Sequence, residues 1–209
     1  MKNILMNIEM TKAILDGRKT QTRRIIKDKL IKPVDSKFPD NEMYLDSYNN
    51  FNKWFWWTQD GRQNLSQCII SRFKKGDILW VREPVKIDMC FTEEIHFHYL
   101  SDNTTSKLNI PKRFIKEGFV ADWMAHCQGV PNGCIKEMAR IFLKITDVRV
   151  ERLQDISIED IRKEGCNSSY LERIELWNKT APKGYKWGDN PYVFVYEFKR
   201  VNEDGSKYE

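Results

Sequence analysis

The apolar positions change period several times along the chain. Lys2–Met6 reads as a short strand. Met10, Ile14 and Leu15 then fall at helical spacing, and Gly17 is a natural stop, so a helix is expected over 10–16. Arg18–Ile26 is β-branched at Thr20, Thr22, Ile25 and Ile26, which predicts an extended segment. Gly76-Asp77 punctuates the chain before Ile78–Glu83, a short apolar strand ended by Pro84. A further strand is expected at Ile95–Leu100, and Ile141–Val150 alternates from Leu143 onward as a long strand. Ser157-Ile-Glu-Asp160 is a capping-box signature for a short helix closed by Gly165. Ser169-Tyr-Leu-Glu172 opens a second helix, with Leu171, Ile174 and Trp177 on one side. Pro191–Phe198 is a β-branched and aromatic strand. Strands spread over the whole chain with few helices between them favour an α+β mixed barrel over a doubly wound sheet.

Two stretches lie outside this pattern, approximately 27–74 and 84–138, and are expected to be insertions into one domain covering 1–209. The first is rich in Asn, Asp, Ser and Lys and carries the aromatic cluster Trp54-Phe-Trp-Trp57. Such rings either stack nucleobases or, more commonly, fill a satellite core under a long loop. The second reads as irregular apart from Ile95–Leu100. No period of 20–50 residues repeats, which excludes solenoids and propellers.

Composition narrows the class. Of 209 residues 41% are hydrophobic, enough for a sizeable core and against a wholly disordered chain. No apolar run approaches the ~18 residues of a membrane span. Met1–Met6 lacks the apolar stretch and cleavage site of a secretory signal. The five cysteines are an odd number without a close-spaced framework, so reduced thiols in a cytoplasm are expected.

The net charge of +5 is concentrated in one place. Residues 12–29 hold seven cations against Asp16 and Asp28, so this stretch carries the whole excess and the remainder is neutral. A basic segment on a neutral body is either a solvated face or a contact for an anionic partner, phosphate being the commonest. His96 and His98 share a strand face, but with no acidic or cysteine neighbour to complete a site, and His126-Cys127 with Cys134 is not zinc-knuckle spacing. No metal is expected.

Ala13-Ile-Leu-Asp-Gly-Arg-Lys-Thr-Gln-Thr-Arg-Arg24 resembles the signature of the ASCH domain (activating-signal-cointegrator homology), a PUA-like β-barrel family. Lys75–Glu83 is similar to the family's Gly-Asp strand, Ile145–Leu153 to its long strand leading into the short helix, and Trp187–Lys199 to its closing strand. The four pieces occur in order and cover less than half of the chain. The two insertions resemble the longer phage and prophage members, as do Trp80 and Glu83.

The resemblance implies a PUA-like mixed β-barrel with a few short helices and two long insertions. It also implies a cleft between the basic loop and the short helix for RNA or a nucleoside, with no cofactor. Small bacterial members with this motif are amidohydrolases acting on N4-acetylcytidine. Their catalytic lysine, threonine and glutamate match Lys19, Thr22 and Glu164; Arg18, Arg23, Arg24, Trp80 and Glu83 are then expected to contact substrate or nucleic acid. The alternatives are a non-catalytic RNA-binding module and a phage accessory protein whose insertions make protein contacts.

Read without the family, the residues allow the same chemistry. A neutral lysine can take the proton that makes threonine a nucleophile, and Arg18, Arg23 and Arg24 crowd Lys19 in the direction that disfavours its charge. The other reading of Lys19 is a solvated cation on phosphate. In a straight strand residues 19 and 22 face opposite sides, so the segment must turn between them if the two are to meet. Glu164 falls in the last turn of its helix, where the dipole disfavours a carboxylate and Asp160 repels it; either something compensates, or its proton affinity rises as suits a group handling protons, or it lies exposed beside Arg162 and Lys163.

Overall fold

A computed structural model of the protein describes residues 1–27, 44–47, 53–57, 63–116, 119–166 and 169–208; within 44–68 it describes only the backbone course of the strands. The protein is mixed α+β, built mostly from sheets, with four short α-helices among the described residues. In chain order the elements are β1 (Lys2–Leu5), α1 (Ile8–Leu15), β2 (Gln21–Ile25), β3 (Tyr44–Ser47), β4 (Lys53–Trp57) and β5 (Gln63–Ile70). There follow β6 (Ile78–Arg82), β7 (Val85–Cys90), β8 (Glu94–Tyr99), β9 (Thr105–Asn109), β10 (Ile115–Lys116), β11 (Phe119–Val120) and α2 (Asp122–Ala125). The last are β12 (Phe142–Arg152), α3 (Ile158–Lys163), α4 (Tyr170–Thr180) and β13 (Tyr192–Val201). One sheet has the order β1-β6-β12-β13-β2, and β3-β4-β5 and β7-β8-β9 form two smaller ones.

The chain divides into two compact units: residues 1–19, 77–144 and 199–209, and residues 20–76 and 145–198. In the first, Asn7 caps α1 by accepting from the Met10 amide at 2.8 Å, and Gly17 leaves the helix at φ +73°, where a side chain would be strained. β1 pairs in parallel with β6, Ile4 beside Val81, and β6 pairs antiparallel with the start of β12, Trp80 beside Phe142.

The segment 84–138 departs from expectation. It contains a three-stranded antiparallel meander, β7-β8-β9, in place of one strand among irregular chain. Its alternation is regular but short: Val85 and Ile87, then Ile95, Phe97 and Tyr99, face inward, while Lys86 and Asp88 face out. The inward set packs with Met124, Cys134 and Met138 into one apolar core. Each such side chain contributes about 1.5–3 kcal/mol when fully buried.

The second unit has its own core, where Leu153, Ile156 and Ile161 pack against Trp177, Trp187, Val193 and Val195. Ser157 and Ser169 cap α3 and α4 as expected, accepting from the amides of Asp160 and Glu172. The inner face of α4 differs from the expected stripe. Leu171 is 72% exposed, and Arg173 and Trp177 are the buried residues. Segment 27–74 contributes β3, β4 and β5; the Trp54–Trp57 cluster lies on β4, and its side chains are outside the described residues.

Backbone geometry gives a direct test with one glycine from each unit. Gly133 sits at φ +82°, and a Cβ there would meet the carbonyl oxygens of Arg82 at 3.0 Å and Glu83 at 3.1 Å. Gly184 has a similar φ of +85° with nothing within 4 Å. Gly184→Ala should therefore cost only the left-handed penalty of about 1–2 kcal/mol, and Gly133→Ala measurably more. Urea unfolding of the two variants compares them directly; equal losses would mean that the Arg82–Glu83 backbone gives way.

Candidate functional site

One backbone bond joins the end of α3 to the entry of β2, the Thr20 amide donating to the Lys163 carbonyl at 2.8 Å, and a second joins β13 to the same point, the Phe198 amide donating to the Thr20 carbonyl at 2.9 Å. Gly165, at φ +83°, turns the chain immediately after Glu164. Glu164 is thereby delivered to the face of β2 that carries Arg23. Antiparallel register places Arg23 opposite Val195 and Ile25 opposite Val193, two core valines. A guanidinium on that face is tolerable only if neutralised inside the protein.

Three carboxylates do this. Arg23 Nη1 donates to Glu164 Oε1 at 2.8 Å, Nη2 donates to Asp160 Oδ2 at 3.0 Å, and Nε donates to Glu151 Oε1 at 2.9 Å, with a further Nη2 bond to the same Glu151 oxygen. The Arg23 side chain has no exposed surface. Burial alone would lower its pKa, but Glu164 and Glu151 outweigh that and raise it. Arg149 extends the network to Glu151, Glu197 and Asp160 at 3.1, 2.7 and 3.3 Å. The second oxygen of Glu164 accepts from Arg173 Nη2 at 3.1 Å. The helix-end penalty on Glu164 is thus offset by two guanidinium groups, and Glu164 is buried, not exposed.

Thr22 and Arg24 occupy the other face of β2, opposite Tyr196 and Phe194. Arg24 Nη1 donates to Thr22 Oγ1 at 2.8 Å. Thr22 is buried and Arg24 half-buried. Burial lowers the Arg24 pKa; Glu164 and Tyr196 oppose the shift, and the guanidinium groups of Arg173 and Arg72 add to it. A cation beside the hydroxyl oxygen favours negative charge developing there. Lys19 lies before β2, outside the strand to which the parity argument applies; it is buried and its amide donates to the Ala13 carbonyl at 2.9 Å. Arg18 is exposed and pairs with Asp16 at 2.8 Å.

Trp80 and Glu83 belong to the first unit. Trp80 lies in its apolar core. Glu83, 1% exposed, accepts from Arg140 Nε at 2.9 Å and Nη2 at 3.0 Å, and from Ser101 Oγ at 2.9 Å. Arg140 stacks 3.7 Å from the Tyr99 ring centre and also donates to Asp102. Burial, and then Glu83, push the Tyr99 hydroxyl up, whereas hydrogen bonding by Arg140 pulls Asp102 down to about 2.

His96 and His98 do have acidic partners, contrary to expectation: Glu94 and Asp88, each at 2.7 Å. Among the described residues no group of three His, Cys, Asp or Glu side chains is placed to hold a metal ion.

Sequence reasoning missed Arg149, Glu151, Glu197 and Arg173. The available signal was Arg173 itself, a cation one turn before Trp177 on the inner stripe of α4. No protein-family model matches the chain, and comparison with curated proteins and with solved structures likewise returns no match.

Removing Arg23 leaves three carboxylates facing one another. Arg23→Leu should cost about 3–5 kcal/mol in urea unfolding, and Arg23→Lys should recover little, because one ammonium cannot span three partners. An unchanged midpoint in Arg23→Leu would remove the network from the account of stability.

The depressed pKa of Asp102 fixes a pH window. Its folded value of about 2 lies below the ~3.9 of unfolded Asp. Its contribution is therefore complete above pH ~4 and is lost as pH falls through about 2. Asp102→Asn should flatten the fall of stability across that window and leave its slope near pH 7 unchanged.

Proposed function

We propose that the chain is a PUA-like protein of ASCH type that binds RNA or a nucleoside and hydrolyses the amide of an N4-acylated cytidine. The observation that carries this reading is the bond from Arg24 to the buried Thr22 hydroxyl, within the segment that resembles the ASCH signature. A threonine whose oxygen accepts from a guanidinium has its own proton left to give, and its alkoxide is favoured by the adjacent charge.

In the reaction, Thr22 Oγ1 attacks the acyl carbonyl as its proton passes to a base. The resemblance supplies Lys19 for that role, three residues earlier in the chain. Collapse of the tetrahedral intermediate breaks the C–N bond; cytidine leaves with a proton on N4, and the acyl group remains on Thr22 as an ester. Water then cleaves the ester and returns the hydroxyl. Arg24 stabilises the oxygen that gains charge. Both Glu164 oxygens are engaged by Arg23 and Arg173, which favours an orienting role over protonation of the leaving nitrogen. Arg23 is saturated by carboxylates, so phosphate contacts fall to Arg18 and Arg24.

Incubation with N4-acetylcytidine, followed by chromatography of cytidine and acetate, tests the reading. Lys19→Ala and Thr22→Ala should each lower turnover by about 100-fold or more, with losses that do not add in the double variant. Thr22→Ser should retain part of the rate, and Lys19→Arg should not, since guanidinium does not deprotonate to act as a base. Wild-type protein that binds RNA but cleaves no N4-acylated cytidine would be a binding module instead.

A further inference from the structure

A different kind of reactive arrangement lies in the first unit, at the turn Val130-Pro131-Asn132-Gly133. Proline at its second position and a left-handed asparagine at its third, φ +57°, are the pattern of a type II turn. The Gly133 amide closes it by donating to the Val130 carbonyl at 3.1 Å. Asn132 is exposed, and Gly133 is buried. The turn is fastened to the chain after β6 from both sides. Arg82 Nη2 donates to the Pro131 carbonyl at 3.2 Å, and the Cys134 amide donates to the Glu83 carbonyl at 2.7 Å. Gly133 is seated so closely that a Cβ would lie 3.0 Å from the Arg82 carbonyl oxygen.

Asn132-Gly133 is the one asparagine–glycine step in the sequence. Such a step is chemically labile. With no side chain on the following residue, its backbone nitrogen can reach the asparagine side-chain carbonyl carbon and close a five-membered ring. In the folded turn, the N–H that must lose its proton is held by Val130. Ring closure needs rotation of the Asn132 backbone, which breaks that bond. Asn103 has the same left-handed backbone, φ +59°, but is followed by Thr104, whose branched side chain hinders the approach.

We propose that Asn132 is a covalent modification site, deamidating through a succinimide when its turn opens, so that the modified residue records opening of the first unit. The step is independent of the hydrolytic reading and balances without a redox partner. The Gly133 amide gives its proton to solvent base, and its nitrogen attacks Asn132 Cγ. The bond from Cγ to the side-chain nitrogen breaks, and ammonia leaves. Water then opens the ring at either carbonyl, giving aspartate or isoaspartate. Isoaspartate lengthens the backbone by one carbon between 132 and 133. Gly133 then no longer fits its seat against Arg82 and Glu83, and the turn does not re-form with its Val130 bond.

Incubation of the full chain in mildly alkaline buffer, with and without unfolding guanidinium chloride, followed by mass spectrometry of the peptide spanning 132, tests this. Conversion at Asn132 should be at least about tenfold faster in the unfolded chain, because in the folded one it proceeds only through the opened population. Equal rates would overturn restraint by the turn, and no conversion in the unfolded chain would overturn the site itself. Asn103 should stay unconverted in both; conversion there at the rate of Asn132 would overturn the role given to glycine. Asn132→Gln, whose longer side chain cannot close the five-membered ring, should abolish the product. A product that persists in this variant belongs to another amide and overturns the assignment. Chains carrying isoaspartate, returned to buffer, should unfold at lower denaturant than unmodified chains. An unchanged midpoint would overturn the coupling of this turn to the stability of the first unit.

Discussion

Arg23 is the constraint around which the second unit is arranged. A guanidinium between core-facing Ile25 and Val195 would be prohibitive unpaired, so α3, its terminal Glu164 and β12 must all bring carboxylates to it. That requirement fixes the length of α3, because Asp160 and Glu164, one turn apart, must both face β2. It also explains why the tie between Thr20 and Lys163 matters: without it, Glu164 would not stay in register with Arg23. Arg149 and Arg173 then answer the carboxylates that Arg23 alone does not neutralise.

The first unit solves the same problem on a smaller scale. Glu83, almost without exposed surface, is answered by Arg140 in a bidentate pair, and Ser101 takes up a remaining lone pair. Arg140 is itself held flat against Tyr99 and by Asp102, so neither ion depends on solvent. Exposed pairs such as Arg18–Asp16 contribute little by comparison.

Local rules made much of this fold legible. Serine at 157 and 169 marks the start of its helix because its oxygen satisfies an orphan amide, and Gly17 and Gly165 mark ends because they adopt positive φ. The long strands were visible through alternation and β-branched residues. The meander within 84–138 was not, because its strands are short and two of its outward positions are histidines that invite a ligand reading; Glu94 and Asp88 engage them instead. Leu171 misled for a related reason. Hydrophobicity alone does not define the inner stripe of α4: Arg173 and Trp177 occupy it, the arginine being buried there by its bond to Glu164 at the end of the preceding helix. Buried ion pairs between residues more than a hundred positions apart leave no periodic trace. Thr22, Arg24 and Glu164 were identifiable as candidates from motif; their actual partners were not.

Strand parity separates two arginines that are adjacent in sequence. Arg23 turns to the core face and gives its charge wholly to the protein, while Arg24 turns to the face of Thr22, Phe194 and Tyr196. The cations described in residues 12–27 are therefore divided between the interior and the surface. Arg23 contributes stability and position, and Lys19 is buried. Among the described residues of that stretch, Lys12, Arg18 and Lys27 are the exposed cations. The field of those exposed side chains in solvent weakens with salt. On the Thr22 face the half-buried Arg24 guanidinium is less open to screening by salt, and hydrogen-bond geometry governs what it holds.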